Sequence, residues 1–264
     1  SNGSTARTAS FDNLLDDTDF WVEVTLNGCT DTYNGTITVH PIPVAEITTN
    51  TGKTTVCRGE SITLTASGGT TYLWQHDGTR SASVTVTPKA DATYSVQVIG
   101  DGDCKTTASI NITVLDLPNA KITADKTTVC EGDDVTLSAS DGVRWQWYKG
   151  NDAIPGAIDQ HYTITGAAYG STTYSVEVYN ANDCMVRTSY SLVVQKQPVA
   201  EIFGNLNICL GESTTLSAPD ADSWLWSTGA TTKTITVSPT ANTDYTLTIK
   251  SGDCTATITE TVVV

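Results

Sequence analysis

The sequence predicts an all-β protein made of tandem β-sandwich domains in an elongated rod. Thr, Ser, Val and Gly are plentiful, whereas the chain has one Met and three Phe, and this mix favours strands and turns over helices. Five landmarks recur three times in the same order at a spacing of about 70 to 80 residues, which is the signature of repeated domains. No stretch has a sustained helical period.

Each repeat opens on a cysteine followed by a glycine, an acidic residue and an alternating run such as "SITLTAS". A tryptophan follows that cysteine after seventeen residues, with an aromatic residue two positions before it, and later come a tyrosine and a second cysteine. The landmarks are Cys57, Cys130 and Cys209; Tyr72, Trp145 and Trp224; Trp74, Trp147 and Trp226; Tyr94, Tyr174 and Tyr245; and Cys104, Cys184 and Cys254, with Cys29 as a further member of the second cysteine series.

Two-residue alternation assigns the landmarks to positions in a sandwich, because successive strand side chains point to opposite faces. The core is expected to contain Trp74, Trp147, Trp226, Tyr94, Tyr174 and Tyr245. The first-series cysteine is expected just before the second strand of its repeat and outside the strands. Within each repeat, short strands separated by turns are typical of two packed antiparallel sheets.

Counting the landmarks predicts three complete domains, at residues 43–117, 118–197 and 198–264, the second with a longer segment between its third and fifth strands. Residues 1–42 contain only the last strands, E, F and G, and are expected to be the C-terminal half of a domain. Short proline-containing linkers restrict bending. Three and a half units of roughly 35–40 Å would form a rod of order 130 Å. Because the first residue is not methionine, we expect the chain to be a piece of a longer protein.

A resemblance becomes specific at "RWQWYKGNDAIPGAIDQHYTI", which looks like the region from strand C to strand E of an immunoglobulin-like (Ig-like) domain. The cysteine-x-glycine-acid openings and the cysteine before the last strand resemble the tandem Ig-like repeats of large Bacteroidetes cell-surface proteins, including gliding-motility adhesins. The resemblance covers nearly the whole chain and implies export, for example by type IX secretion. Ala66 and Val96 stand where antibody-type domains have their inter-sheet cysteines.

The seven cysteines are typical of an oxidised extracellular framework. One pairing joins the two cysteines within a repeat, as Cys57–Cys104, Cys130–Cys184 and Cys209–Cys254. The two cysteines lie at opposite ends of a sandwich, however, roughly 25 Å apart, whereas a disulfide needs Cα atoms within about 7 Å. We therefore favour disulfides that cross between repeats, Cys57–Cys184 and Cys130–Cys254, with Cys29, Cys104 and Cys209 paired outside the fragment.

Composition excludes several function classes. The net charge of −15, with only fourteen Lys and Arg, argues against nucleic-acid binding, which needs clustered cations. No segment approaches the roughly 20 apolar residues of a membrane span. Three scattered histidines supply no catalytic set, and the nearest dyad, His76–Asp77, is expected in a solvated turn. We expect no enzyme activity and no cofactor.

Two ligand classes stay open. The acidic turns at 100–103 and 131–134 could ligate calcium through their oxygens, although neither matches a calcium-loop pattern. Aromatic side chains can stack on sugar rings, and the candidate sugar contacts are Trp145, Tyr148 and Tyr162.

The function expected from these features is a structural or adhesive stalk: a disulfide-stabilised, rigid spacer in a long cell-surface or secreted repeat protein. Its expected partners are neighbouring repeats of the same chain and, beyond them, a surface glycan or other adhesin subunits. The alternative is a carbohydrate-binding accessory module of a secreted glycan-degrading enzyme.

Overall fold

Alternating buried and exposed residues define three two-sheet sandwiches and a separate hairpin in the computed structural model, which describes residues 5–264. Apart from one 3₁₀ turn at Asp101–Asp103, the secondary structure of these residues consists of strands and tight turns. The prediction of an all-β chain of tandem β-sandwiches is confirmed. The chain divides into two units, one reaching to Asp116 and the other running Leu117–Val264.

The first two strands form the hairpin, β1 (Thr18–Leu26) and β2 (Cys29–Ile37). Asn27 and Gly28 connect them with φ of 49° and 83°. A two-residue Asn-Gly turn with positive φ at both positions matches the twist of antiparallel strands, so the local sequence sets this register. The hairpin lies within the segment 1–42 that is expected to be half a domain; residues 1–4 of that segment are outside the described residues.

Sandwich A consists of strands β3 to β9 in two sheets of order β3-β5-β7 and β4-β9-β8-β6. Ile62 and Leu64 of the first sheet and Trp74, Val96 and Val98 of the second are among its most buried side chains. The strands are β3 (Glu46–Thr49), β4 (Thr55–Cys57), β5 (Ile62–Ser67), β6 (Thr71–Trp74), β7 (Ser83–Val86), β8 (Ala92–Ile99) and β9 (Lys105–Leu115).

Sandwich B has the same plan with one additional strand, in sheets of order β10-β12-β15 and β11-β17-β16-β13-β14. The added strand β14 pairs with β13 inside the longer middle segment. The strands are β10 (Ile122–Ala124), β11 (Val129–Cys130), β12 (Val135–Ala139), β13 (Arg144–Lys149), β14 (Asp152–Ala153), β15 (His161–Ile164), β16 (Gly170–Tyr179) and β17 (Met185–Gln195).

Sandwich C has the fewest strands in its two sheets, which are β18-β20 and β19-β21-β22. Two isolated bridges, Phe203–Ser217 and Asn207–Val263, stand where sandwiches A and B have full outer strands. The strands are β18 (Thr214–Ser217), β19 (Ser223–Trp226), β20 (Thr234–Val237), β21 (Thr243–Ser251) and β22 (Cys254–Val262).

One tryptophan occupies the centre of each core. Trp74, Trp147 and Trp226 are 0%, 0% and 1% exposed. In each case the indole Nε1–H donates a 2.9 Å hydrogen bond to a backbone carbonyl in the connection after the strand, at Ser81, Asp159 and Thr232 respectively. This bond satisfies the polar atom that burial would otherwise leave unpaired. Tyr94, Tyr174 and Tyr245 are also buried in these cores.

The expectation that the first-series cysteines lie outside the strands is wrong for two of them. Cys57 and Cys130 end the short strands β4 and β11, which pair in parallel with the last strand of their sandwich, opposite Leu115 and Gln195. Strands of two or three residues are too short to show an alternating pattern, so the sequence could not reveal them. Cys209 follows only a bridge and is not in a strand.

We expect Trp226→Ala to lower the free energy of unfolding of sandwich C by about 3–5 kcal/mol, because it removes a fully buried aromatic side chain and leaves a cavity. Leu225→Ala is the matched control. Leu225, which precedes Trp226 on β19, is 53% exposed, so its substitution should change the free energy of unfolding by no more than about 0.5 kcal/mol. Denaturant unfolding measures both. Similar effects of the two substitutions would contradict the core assignment.

Candidate functional site

The cysteine-x-glycine-acid motif builds the same turn three times. The acid's backbone N–H donates to the cysteine carbonyl at 2.9–3.0 Å (Glu60 to Cys57, Asp133 to Cys130, Glu212 to Cys209). The acid's carboxylate accepts the cysteine's own N–H at 2.9–3.1 Å. The intervening glycines, Gly59, Gly132 and Gly211, have φ near +90°, a conformation that other residues rarely adopt. The motif therefore holds the cysteine backbone in place from both sides.

In the unit Leu117–Val264 one of these cysteines is bonded across the joint between consecutive sandwiches. Cys130, at the end of β11 in sandwich B, forms a disulfide with Cys254, the first residue of β22 in sandwich C, with a Cα–Cα distance of 5.7 Å. The sequence separation is 124 residues. Cross-linking so long a loop restricts the unfolded chain and stabilises the fold by roughly 3–5 kcal/mol.

Two glutamines extend the same joint: Gln195, the last residue of β17, and Gln197 in the linker that follows. The backbone carbonyl of Gln195 accepts from Glu131 N at 2.8 Å, and its side-chain Oε1 accepts from Asp253 N at 3.0 Å. Gln197 Nε2 donates to the Thr255 carbonyl at 2.7 Å. Gly252 has φ +58°, and a Cβ there would lie 2.6 Å from Gln195 Oε1. The linker, the disulfide and the β21–β22 turn thus form one connected contact.

The unit that reaches to Asp116 contains a comparable joint between the hairpin and sandwich A. His40, which corresponds in the repeat to Gln195, lies against Gly102, where a Cβ would be 2.2 Å from the imidazole Cδ2. The thiol of Cys104, the counterpart of Cys254, is 3.5 Å from the His40 carbonyl. Here the second-series cysteine is a free thiol.

The within-repeat bond Cys130–Cys184 is not formed, and sandwich geometry explains why. Cys130 pairs beside Gln195, at the end of β17, whereas Cys184 directly precedes the start of that strand at Met185. The rise per residue over the eleven residues of β17 separates Cys130 from Cys184 by roughly 35 Å along the strand direction. Cys57 and Cys184 are both disulfide-bonded, and Cys29, Cys104 and Cys209 are free thiols.

The three candidate sugar contacts do not share one surface. Trp145 and Tyr162 pack against the core of sandwich B, and the Tyr162 ring lies between those of Trp147 and Tyr174 at 6.0 and 6.1 Å. Tyr148 faces outward from the five-stranded sheet, and the Arg187 guanidinium lies 3.9 Å from its ring centroid.

That outer sheet face carries a charged and aromatic cluster that sequence reasoning missed. Arg187 donates from Nε and Nη2 to the hydroxyl of Ser175, at 3.0 and 2.9 Å, and its Nη1 is 3.9 Å from the Glu177 carboxylate. A hydrogen bond with Glu177 is the largest cause that raises the pKa of Tyr148 above its ordinary value. Arg144 lies 3.5 Å from the ring centroid of Tyr179 on the same face.

An open groove of about 530 Å³ lies beside this cluster, lined by polar side chains that include Asn151, Thr173, Arg187 and Ser189. The matching positions of sandwiches A and C carry ladders of hydroxyl groups, such as Ser95–Ser109 and Thr248–Thr257. Comparing repeats position by position would have found the cluster, because only sandwich B has Arg and Tyr there.

The remaining candidates have structural roles. Asp77 accepts from the backbone and the hydroxyl of Thr79 at 2.9 and 2.7 Å, which lowers its pKa, and His76 packs against the ring of Tyr94. In the acidic turn 131–134, Asp133 and Asp134 accept backbone N–H groups. Among residues 5–264, no three His, Cys, Asp or Glu side chains gather in a way that could hold a metal ion. No helix in the described part of the chain has the length and apolarity to cross a membrane.

The disulfide predicts how the chain extends under load. When a force pulls the two termini apart, it is transmitted through the Cys130–Cys254 bond. The chain between these two cysteines, a sequence separation of 124, is therefore not stretched. At about 3.3–3.6 Å per extended residue, complete unfolding under non-reducing conditions should yield an extension shorter by at least roughly 400 Å than under reducing conditions. Single-molecule force spectroscopy measures this difference. A variant with serine at Cys57, Cys130, Cys184 and Cys254 should reach the longer extension in both conditions, and equal lengths for the unsubstituted chain would refute the bond.

Comparison with known proteins finds a family model that matches sandwich B. Residues 118–198 match a family model described as "Ig-like domain CHU_C associated". No curated protein sequence matches the chain.

Several solved structures are similar to the chain at low identity. The ICAM-5 D1–D4 ectodomain fragment is 12% identical, with 94% of this chain and 84% of that chain covered and a TM-score of 0.45. The Ca²⁺-stabilised adhesin that helps an Antarctic bacterium to bind ice is 12% identical, with 94% and 81% covered and a TM-score of 0.37. The fibronectin(III)-like modules of Clostridium thermocellum CbhA are 14% identical, with 57% and 95% covered and a TM-score of 0.31. Taken with the sheet orders described above, the match over residues 118–198 identifies the fold as a tandem series of Ig-like β-sandwich domains.

Proposed function

We propose that this chain is a rigid stalk segment of a long cell-surface or secreted repeat protein, which holds other parts of that protein at a fixed distance. The observation that carries this proposal is the joint between sandwiches B and C, where a disulfide and two glutamine side chains link consecutive domains. A spacer needs such links between neighbouring domains, because its length is useful only if its joints do not bend or separate.

The same pairing rule extends the proposal to the rest of the chain. The first-series cysteine of one repeat bonds to the second-series cysteine of the next, so we assign the pair Cys57–Cys184 to the preceding joint. Domains at 43–117, 118–197 and 198–264 follow from the same repeat. Cys29 and Cys209 would then serve further joints.

The cellular setting rests on the resemblance to Bacteroidetes cell-surface repeats. It implies an exported protein, carried by type IX secretion and related to gliding-motility adhesins. Disulfides agree with an oxidising compartment, and the net charge of −15 keeps such a surface soluble and disfavours nucleic acid as a partner. The nearest partners of each domain are the neighbouring repeats of its own chain.

Solution scattering tests the stalk. Three and a half units of roughly 35–40 Å each predict an elongated particle with a maximum dimension of order 130 Å. A variant with serine at Cys130 and Cys254 should show a broader distribution of distances, because one joint is no longer clamped covalently, whereas Cys209→Ser should leave the scattering unchanged. A compact particle for the unsubstituted chain would overturn the proposal.

A second function, recognition of a glycan, is favoured by the outer face of sandwich B. Its groove offers hydroxyl, amide and guanidinium groups, which are the groups that hydrogen-bond sugar hydroxyls, and the Tyr148 ring stands beside Arg187. Because the guanidinium covers one face of that ring, a bound sugar would contact the groove mainly through hydrogen bonds. The chain would then be adhesive as well as a spacer.

A glycan array tests this second function. The substitutions Arg187→Thr and Tyr148→Gln introduce the residues that sandwich A has at the matching positions, Thr107 and Gln75, and should abolish binding without unfolding the domain. Ser109→Ala, on the same face of sandwich A, is the control and should have no effect. Absence of binding by the unsubstituted chain across a broad array would leave the stalk as its function.

A further inference from the structure

The groove on the outer face of sandwich B has one charged side chain among the described residues that line it, Arg187. Its volume of about 530 Å³ lies within the range of ligand pockets, about 300–1,000 Å³. Other lining side chains, among them Asn151, Thr173 and Ser189, carry amide and hydroxyl groups. The way Arg187 is held therefore decides whether the groove selects a charged or an uncharged ligand.

The edge of the guanidinium that would bind an anion side-on is already occupied. Arginine binds a carboxylate most strongly through two parallel N–H groups. In Arg187 the donors Nε and Nη2 both donate to the hydroxyl of Ser175, at 3.0 and 2.9 Å, and Nη2 also donates to the Gly150 carbonyl at 3.3 Å. Because Ser175 is 5% exposed, a carboxylate or sulfate would have to displace a buried hydroxyl to reach these two donors.

The charge of Arg187 is also compensated within the sheet. Its Nη1 lies 3.9 Å from one carboxylate oxygen of Glu177, and the other oxygen accepts a 3.3 Å hydrogen bond from the Tyr179 hydroxyl. The Tyr148 ring covers one face of the guanidinium. An anion that approached Nη1 and Nη2 end-on would therefore meet the Glu177 carboxylate, and two like charges so close together repel each other.

The groups left for a ligand in this groove are uncharged. The hydroxyls of Thr173 and Ser189 and the amide of Asn151 both donate and accept hydrogen bonds, as the hydroxyls of a sugar do. The net charge of −15 on the whole chain adds a field that disfavours the approach of a polyanion.

The repeat shows that the arginine and its carboxylate were introduced together. In sandwich A, the serine that matches Ser175 is Ser95, and its hydroxyl bonds to another serine. Thr107 stands there in place of Arg187. The residue in place of Glu177 is an uncharged glutamine. Sandwich B thus gained a cation and an anion as a pair, which leaves the net charge of the face unchanged.

We infer that this groove selects uncharged glycans over glycans that carry carboxylate or sulfate groups, and that Ser175 and Glu177 set this specificity. Ser175 does so by occupying the Nε and Nη2 donors of Arg187, and Glu177 does so by its charge. This selectivity rests on the glycan recognition proposed above, whose ligand class it defines.

Matched pairs of ligands test the selectivity. Neutral hexose oligosaccharides are compared with the same oligosaccharides oxidised to uronates at C6 or sulfated at that position. The unsubstituted chain should bind the neutral member at least about tenfold more tightly. Its affinity for that member should change less than roughly twofold between about 0.05 M and about 0.5 M salt, because no net charge is paired on binding.

Two failures are distinguishable in this experiment. Tighter binding of the uronate or sulfated member would overturn the selectivity and leave glycan recognition intact. Absence of binding to all members, and to a broad array, would overturn glycan recognition and the selectivity with it.

Two substitutions should relax the selectivity. Ser175→Ala frees the Nε and Nη2 donors of Arg187, and Glu177→Gln removes the repelling charge while it keeps the shape of the side chain. Each should reduce the preference for the neutral member to less than about threefold. The double variant should bind uronates with an affinity that falls as the salt concentration rises.

Ser95→Ala, at the matching position of sandwich A, is the control and should leave the preference unchanged. Melting temperatures establish that each variant is folded. A preference that stays at its original value in both folded variants of sandwich B would overturn the roles assigned to Ser175 and Glu177.

Discussion

The length of a β-strand is the constraint on which the rest of this structure depends. Each sandwich has its first-series cysteine at one end and its second-series cysteine at the other, and β17 alone separates the two levels in sandwich B by roughly 35 Å. A disulfide spans about 6 Å between Cα atoms. The bond therefore has to leave the sandwich, and consecutive domains are the structures that bring two opposite ends together, as Cys130 and Cys254 do. The covalent bond at that joint therefore follows from strand geometry rather than from a specialised linker.

The turn motif makes this geometry repeatable. Glycine with φ near +90° and an acid that bonds both to the carbonyl and to the N–H of the cysteine hold the backbone before any bond forms. Cys209, which is not bonded in this chain, has the same turn as Cys130. The cysteine is thus positioned by its own repeat, and each joint needs only the arrival of a second-series cysteine.

Departures from the repeat indicate where a domain does something different. Several outward positions of the sheets carry threonine and serine hydroxyls that hydrogen-bond in pairs across neighbouring strands. Sandwich B has Arg–Tyr stacks in their place, and the β1–β2 hairpin exposes valines that are core residues elsewhere. The first departure creates a polar surface with a groove, and the second leaves apolar side chains exposed. Both are visible only because the other domains supply the reference.

The sequence by itself determined the fold class, the number of tryptophan-centred cores and the residues in them, because two-residue alternation and a fixed spacing of landmarks depend only on the order of residues. It also led us to favour a bond between Cys130 and Cys254 over one within a repeat, since strand length can be counted. Only the tertiary structure decided the rest. Strands β4 and β11 are too short to have a pattern, Tyr162 faces the core although its type suggested a surface contact, and Arg187 meets Tyr148 and Ser175 across three strands whose pairing is set by the whole sheet. Contacts between residues distant in the chain depend on strand register and packing, which no local pattern encodes.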